Sequence, residues 1–150
     1  MDIEGLKCKK LKLIPDERGY LMEILRNDDE LFKEFGQVYI SAVYKDAIKA
    51  WHKHKHQTDN ICCIKGMIKL VVIDDRRDSP TYENIEEIFI GEQNFMLVQI
   101  PKGCLHGWKG MDNDISLVIN CSDKVYDYGK PDEIRIKPNY TFYNWDRQDG

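Results

Sequence analysis

All four histidines of this chain fall in two short segments, Trp51-His52-Lys53-His54-Lys55-His56-Gln57-Thr58-Asp59 and Pro101-Lys102-Gly103-Cys104-Leu105-His106. An imidazole titrates near neutral pH, so it can accept a proton from a carbon acid or, when neutral, ligate a metal. His52 and His54 stand two residues apart, and on a strand both side chains leave the same face. They can converge on one small volume as bases beside a carbonyl substrate. With Asp59 and His106 they can equally form an N,N,O,N metal set. Such a set suits divalent iron, manganese, zinc or nickel without choosing among them. His56 shares the phase but opens a polar turn region, and it is read as a rim residue. Trp51 and Trp108 flank the two blocks, placed either against a sugar or base or in the core.

The elements that must position these groups read as strands. Gln37 to Val43 and Ile48 to His54 alternate. Asn60 to Ile64, Met67 to Ile73, Ile85 to Ile90, Met96 to Ile100 and Ser116 to Asn120 are β-branched or apolar-rich between turn signals. Gly66 suits the turn that sends the first histidine block back. Leu6 to Ile14 reads as an edge strand with outward lysines ending at Pro15, and Pro15 to Gly19 as a turn. Tyr20 to Leu25 continues extended. Asn27 to Phe35 has a cap, early acids and one apolar side, which predicts a helix ended by Gly36. After Asn120 an aromatic, polar tail (Tyr126, Tyr128, Tyr140, Phe142, Tyr143, Trp145) is expected to pack across the barrel. Many short, evenly spaced strands predict an all-β sandwich or barrel in one domain over residues 1–150.

Composition narrows the classes. Hydrophobic residues make 42% and charged residues 32%, with a formal net charge of −4. That balance, without a basic stripe, argues against a general nucleic-acid binder. No apolar run reaches the length of a membrane span, and Met1 to Gly5 lack a signal peptide's features, so the cytoplasm is expected. The five cysteines, Cys8, Cys62, Cys63, Cys104 and Cys121, are odd in number and read as packed thiols in a reducing compartment. Arg76-Arg77 reads as an exposed loop.

His52-x-His54, Asp59 and Gly66, followed by Pro101-x-Gly103-x-x-His106, resemble the two blocks of the cupin signature, which implies a cupin jelly-roll barrel with its pocket at the mouth. A closer resemblance spans most of the chain. Asp16-x-Arg18-Gly19-x-Leu21-x-Glu23, Gln37, Lys49-Ala50-Trp51-His52, Asp74 to Tyr82 and Ile100 to Trp108 are similar, in order, to the motifs of dTDP-4-dehydrorhamnose 3,5-epimerases. The resemblance implies a metal-free, homodimeric enzyme that acts on a nucleotide-activated 4-keto-6-deoxy sugar in surface-polysaccharide biosynthesis. It also implies an N-terminal strand shared across the dimer.

Position by position, the resemblance makes His52 the base next to the sugar ketone and gives Arg18, Glu23 and Gln37 to the nucleotide. Lys49 stands where an arginine meets the diphosphate, keeping the charge but losing the bidentate fork. Three positions depart from the family: its catalytic lysine falls on Asp59, its orienting aspartate on Leu70 and its catalytic tyrosine on Ile119. Two readings answer those departures. The short loop and His52-x-His54 look like the related 3,4-ketoisomerases, where the histidine pair shuttles protons with the help of a tyrosine, here Tyr39. Alternatively, a divalent cation held by His52, His54, Asp59 and His106 takes over the lysine's role, making a metal-dependent isomerase or dioxygenase. A non-catalytic nucleotide-sugar-binding cupin is the third reading.

Overall fold

The computed structural model describes residues 2–139 and 142–149, so the expectation for Tyr140 lies outside the described residues. Strands β1 (Lys7–Lys10), β2 (Leu13–Asp16), β3 (Gly19–Met22), β4 (Gln37–Val43), β5 (Ile48–His54) and β6 (Asp59–Lys65) come first. They are followed by β7 (Met67–Asp74), β8 (Ile85–Gly91), β9 (Met96–Ile100), β10 (Cys104–Gly110), β11 (Ser116–Ser122) and β12 (Glu133–Arg135). One five-stranded sheet has the order β1-β9-β6-β11-β4, and the other the order β12-β5-β10-β7-β8. The β2-β3 hairpin forms a separate pair. This is the jelly-roll arrangement expected, and the described residues contain no helix. In particular, no helix is long and apolar enough to cross a membrane.

The main core lies between the two sheets, where Ile61, Ile68, Leu70, Val72, Val98 and Val118 are buried. Leu70 is packed there, far from any polar role. β7 is buried along nearly its whole length, because its outward side chains Val71 and Ile73 meet Trp51, Leu105 and Trp145 in a second cluster. A strand covered on both faces needs an unbroken apolar run, and Met67 to Ile73 supplies it apart from Lys69. The aromatic tail does pack across the sheet: Trp51 lies against Trp145 and Tyr143, with ring centroids 5.1 and 5.8 Å away. Trp51 is therefore core, and only Trp108 of the two flanking tryptophans also reaches the cavity. At the β6–β7 turn Gly66 holds φ +72°, and a Cβ there would stand 2.4 Å from Ser116 Oγ.

Three local expectations need correction. Asn27–Phe35 forms turns, not a helix. Asp29 ties the segment down locally, accepting from the Arg26 N–H at 2.8 Å and from Lys9 Nζ at 2.6 Å, while Leu31 plugs a third cluster with Leu11, Cys62 and Leu97. Nine residues cannot sustain a helix unless tertiary packing supports it, and here the packing supports turns. The stretch Leu6 to Ile14 is split between β1, which pairs with β9, and β2, which turns out into the hairpin. The bounds of β10, which carries the second histidine block, and the whole of β12 went unread in the sequence. Arg76 is not a loose loop residue: its guanidinium donates to both oxygens of the buried Asp74 carboxylate at 2.8 Å and to the Glu4 carbonyl at 2.7 Å.

Candidate active site

A cavity of about 550 Å³ opens at one end of the sandwich, a size suited to a small-molecule site. β4 contributes Gln37, Tyr39 and Ser41, β5 contributes Lys49, His52 and His54, and β6 contributes Asp59. β10 adds His106, β11 adds Asn120, and the C-terminal segment adds Tyr126, Glu133 and Arg135. The two histidine blocks meet because β5 and β10 are neighbours, with His52 directly opposite His106. Alternation along β5 then brings His54 to the same side, and its ring stacks on His106 at 5.9 Å between centroids.

Two separate constellations result. In the first, His52 Nδ1 lies 2.6 Å from Glu133 Oε1. Glu133 sits on β12 opposite His54 in the ladder, so it reaches His52 as a diagonal neighbour. The bond to His52 holds Glu133 down at about 2 against the upward pull of burial, with help from Arg135, which donates to its other oxygen at 2.7 Å. The carboxylate fixes one ring nitrogen of His52 and leaves Nε2 for chemistry.

In the second constellation, Asp59 Oδ2 lies 3.0 Å from His106 Nε2 and 3.4 Å from His54 Nε2. Its other oxygen accepts from Gln57 Nε2 at 2.6 Å and Asn120 Nδ2 at 2.8 Å. Burial would raise the Asp59 carboxyl, but hydrogen bonds from His106 and His54 outweigh it and hold the group well below the usual carboxylate range. Burial likewise disfavours charge on His54, yet the Asp59 bond and the surrounding carboxylates bring its net shift upward.

Tyr39 links to this cluster, its hydroxyl accepting from Asn120 Nδ2 at 2.9 Å. Burial first, and then the Asp59 charge, push the phenol above its ordinary value. At the mouth, Lys49 Nζ donates to Ser41 Oγ at 2.9 Å, and Gln37 Oε1 accepts from the Tyr126 N–H at 2.7 Å.

The sequence-derived residues thus divide. His52, His54, His106, Asp59, Tyr39, Gln37 and Lys49 come together around the cavity. His52 is not part of the three-residue cluster of His54, Asp59 and His106, and its Nδ1 lies against Glu133 instead. Arg18 and Glu23 are exposed on and beside the hairpin, bound locally to Asp16 at 2.6 Å and Arg26 at 3.1 Å. Ile119 turns to the opposite face of β11, opposite Ile40, and the residue this strand presents to the cavity is Asn120. His56 is exposed, as a rim residue should be.

Sequence reading missed Glu133, Asn120, Gln57 and Arg135. Asn120 carried a signal, since Ser116, Val118, Asn120 and Ser122 are the buried phase of β11. Glu133 carried none, because a three-residue strand is too short for a period to show.

The jelly roll and its histidine-lined mouth define a cupin-type small-molecule site. Residues 1–148 match the family model described as dTDP-4-dehydrorhamnose 3,5-epimerase, and the chain belongs to that family of nucleotide-sugar epimerases and isomerases. It is similar to the probable low-salt glycan biosynthesis epimerase Agl13 of Haloferax volcanii, 39% identical over 137 residues, covering 90% of this chain and 88% of the relative. The spore coat polysaccharide biosynthesis protein SpsL of Bacillus subtilis is 35% identical over 148 residues, covering 97% and 98%. A crystal structure of a dTDP sugar isomerase from Desulfovibrio desulfuricans superposes with a TM-score of 0.88 at 30% identity, covering 93% of this chain and 88% of that one.

Proposed function

We propose that this chain is a single-domain cytoplasmic epimerase or isomerase of a nucleotide-activated 4-keto-6-deoxy sugar, with His52 as the base. The observation that carries the reading is the 2.6 Å His52–Glu133 contact inside the cavity. A ketone acidifies the neighbouring C–H bonds, and an oriented imidazole can take such a proton. The C–H electron pair then moves onto the ketone oxygen to give an enolate or enediolate. Reprotonation on the other face inverts the centre, and reprotonation at the neighbouring carbon moves the carbonyl.

Tyr39 suits the proton donor. Its raised phenol stays protonated at neutral pH, and its hydroxyl is held by Asn120 beside the cavity. Gln37 and Lys49 at the mouth suit the nucleotide and diphosphate, the lysine as a single point charge. The enzyme is expected to invert or isomerise at least one member of a panel of nucleotide-linked 4-keto-6-deoxy sugars, followed by NMR. Tight binding with no turnover on any of them would leave only a binding cupin.

Dimerisation belongs to the same reading. The hairpin exposes Ile14, Tyr20 and Leu21, and the outer face of β4 exposes Val38 and Ile40, each 48–60% accessible. Exposed apolar side chains of that kind on the hairpin and on β4 suit a cover, and a second copy of the chain provides one. A hairpin lying across the partner is how Arg18 and Glu23 would reach a cavity they do not touch in their own chain.

A further inference from the structure

The outer face of the β12-β5-β10-β7-β8 sheet carries another cavity, of about 340 Å³, that the base chemistry of His52 does not use. Leu70 and Trp108 point into the core between the sheets, so their neighbours Lys69 and Lys109 leave the other side. These two lysines stand directly opposite each other in the β7–β10 ladder. Like charges in that register repel and weaken the pairing. Lys45 and Arg147 line the same cavity, so four cations meet two acids there, Asp46 and Glu87.

The acids do not neutralise these cations. Glu87 accepts from the Tyr143 hydroxyl, and Arg147 pairs instead with Asp149 at 2.7 Å, both of them largely exposed. Lys109 Nζ donates to the Trp145 carbonyl at 3.2 Å. Lys69 is only 8% exposed, and its ammonium faces the rings of Tyr143 and Trp145, 5.4 and 5.6 Å from their centroids. It has no carboxylate or carbonyl partner among the described residues. Ring faces attract a cation but leave its three N–H donors without an oxygen. A nine-tenths buried cation in that state costs stability, which an anion entering the cavity returns.

We propose that this outer cavity binds the phosphate group of a small molecule, held by Lys69 and Lys109 with the exposed Lys45 and Arg147 at its edge. One guanidinium fork answers the two oxygens of a carboxylate. Several separated point charges suit a group with three or more acceptor oxygens, which is a phosphate ester or diphosphate. Phe89 and Met111, both exposed at the lip, give an organic part of the ligand an apolar rest. A nucleotide, a sugar phosphate and inorganic diphosphate share this chemistry. The site lies across the sheet from the histidines and is independent of the reaction proposed for them.

The test is an NMR titration of the full chain, labelled with nitrogen-15, at constant ionic strength. Inorganic diphosphate, a nucleoside diphosphate and a hexose 1-phosphate are added in separate runs. The Trp145 indole N–H and the backbone amides of Lys69 and Lys109 report the outer cavity, and the Asn120 side-chain amide reports the histidine cavity. At least one of the three compounds should shift the first group saturably at millimolar concentration or below, and the tightest of them names the source of the phosphate. Lys69→Met and Lys109→Met, each checked for native circular dichroism and cooperative melting, should weaken that binding at least about tenfold while sparing the response at Asn120. Lys49→Met, which alters the histidine cavity, should spare the response at Trp145. No saturable shift at Trp145 with any of the three, or the same shift with chloride alone, would overturn the site. So would undiminished binding in both folded lysine variants, or a loss at Asn120 equal to that at Trp145.

Discussion

At the residue scale, the proposed mechanism makes His52 and Glu133, 2.6 Å apart, a unit in which Glu133 is the positioning residue. A hydrogen bond to a charged group is worth about 1.5–3 kcal/mol, or roughly 10- to 150-fold in rate. Glu133→Gln should therefore lower kcat by that order with a small effect on KM, while Glu133→Asp should recover part of the loss. Equal activity in Glu133→Gln would mean that His52 needs no orienting partner. His52→Ala itself should cost roughly 10²–10⁴-fold. The thiols give a second prediction. Burial pushes Cys62 to about 11 and Cys63 and Cys104 to about 12. All three should stay unreactive toward a disulfide reagent in native protein at pH 8 and react promptly in denaturant. Fast native labelling of Cys104 would show that the second histidine block opens.

At the element scale, the short C-terminal strand β12 completes the site by carrying Glu133 onto the edge of β5. Its attachment is partly electrostatic, and the sign can be worked out. Glu133 sits below its unfolded value of 4.5, at about 2, so its stabilisation is present above pH 4.5 and is lost as pH falls toward 2. Asp132, held down by three backbone N–H groups against burial, acts in the same direction. Melting temperature should fall as pH drops through 4, and Glu133→Gln should flatten that slope. A slope identical to wild type would place the acid sensitivity elsewhere.

The same scale explains what the sequence revealed. Strands β4, β5 and β9 match their expected bounds residue for residue, because alternation or an apolar run has clear ends there. The helix expected over 27–35 failed because local caps and acids look alike whether they start a helix or hold turns together. Of the site, the histidines, Asp59 and Tyr39 were legible from spacing and resemblance. Glu133 was not, since its partner is 81 residues away and its strand is three residues long.

At the scale of the whole molecule, the exposed hairpin and β4 face predict a homodimer of twice 17.7 kDa. Ile40→Asp would put a charge on the exposed β4 face, and light scattering should then report the 17.7 kDa monomer. If the hairpin crosses to the partner, Arg18→Ala should raise KM for the nucleotide sugar with kcat little changed. A monomeric wild type would remove both expectations.

Deuterium wash-in tests most directly whether His52 is the base. A nucleotide-linked 4-keto-6-deoxy sugar is incubated with enzyme in D₂O, and the carbon next to the ketone is followed by NMR. Deuterium should enter that carbon with the wild-type protein and only at the uncatalysed rate with a folded His52→Ala variant. Equal wash-in for the two proteins would contradict His52 as the base.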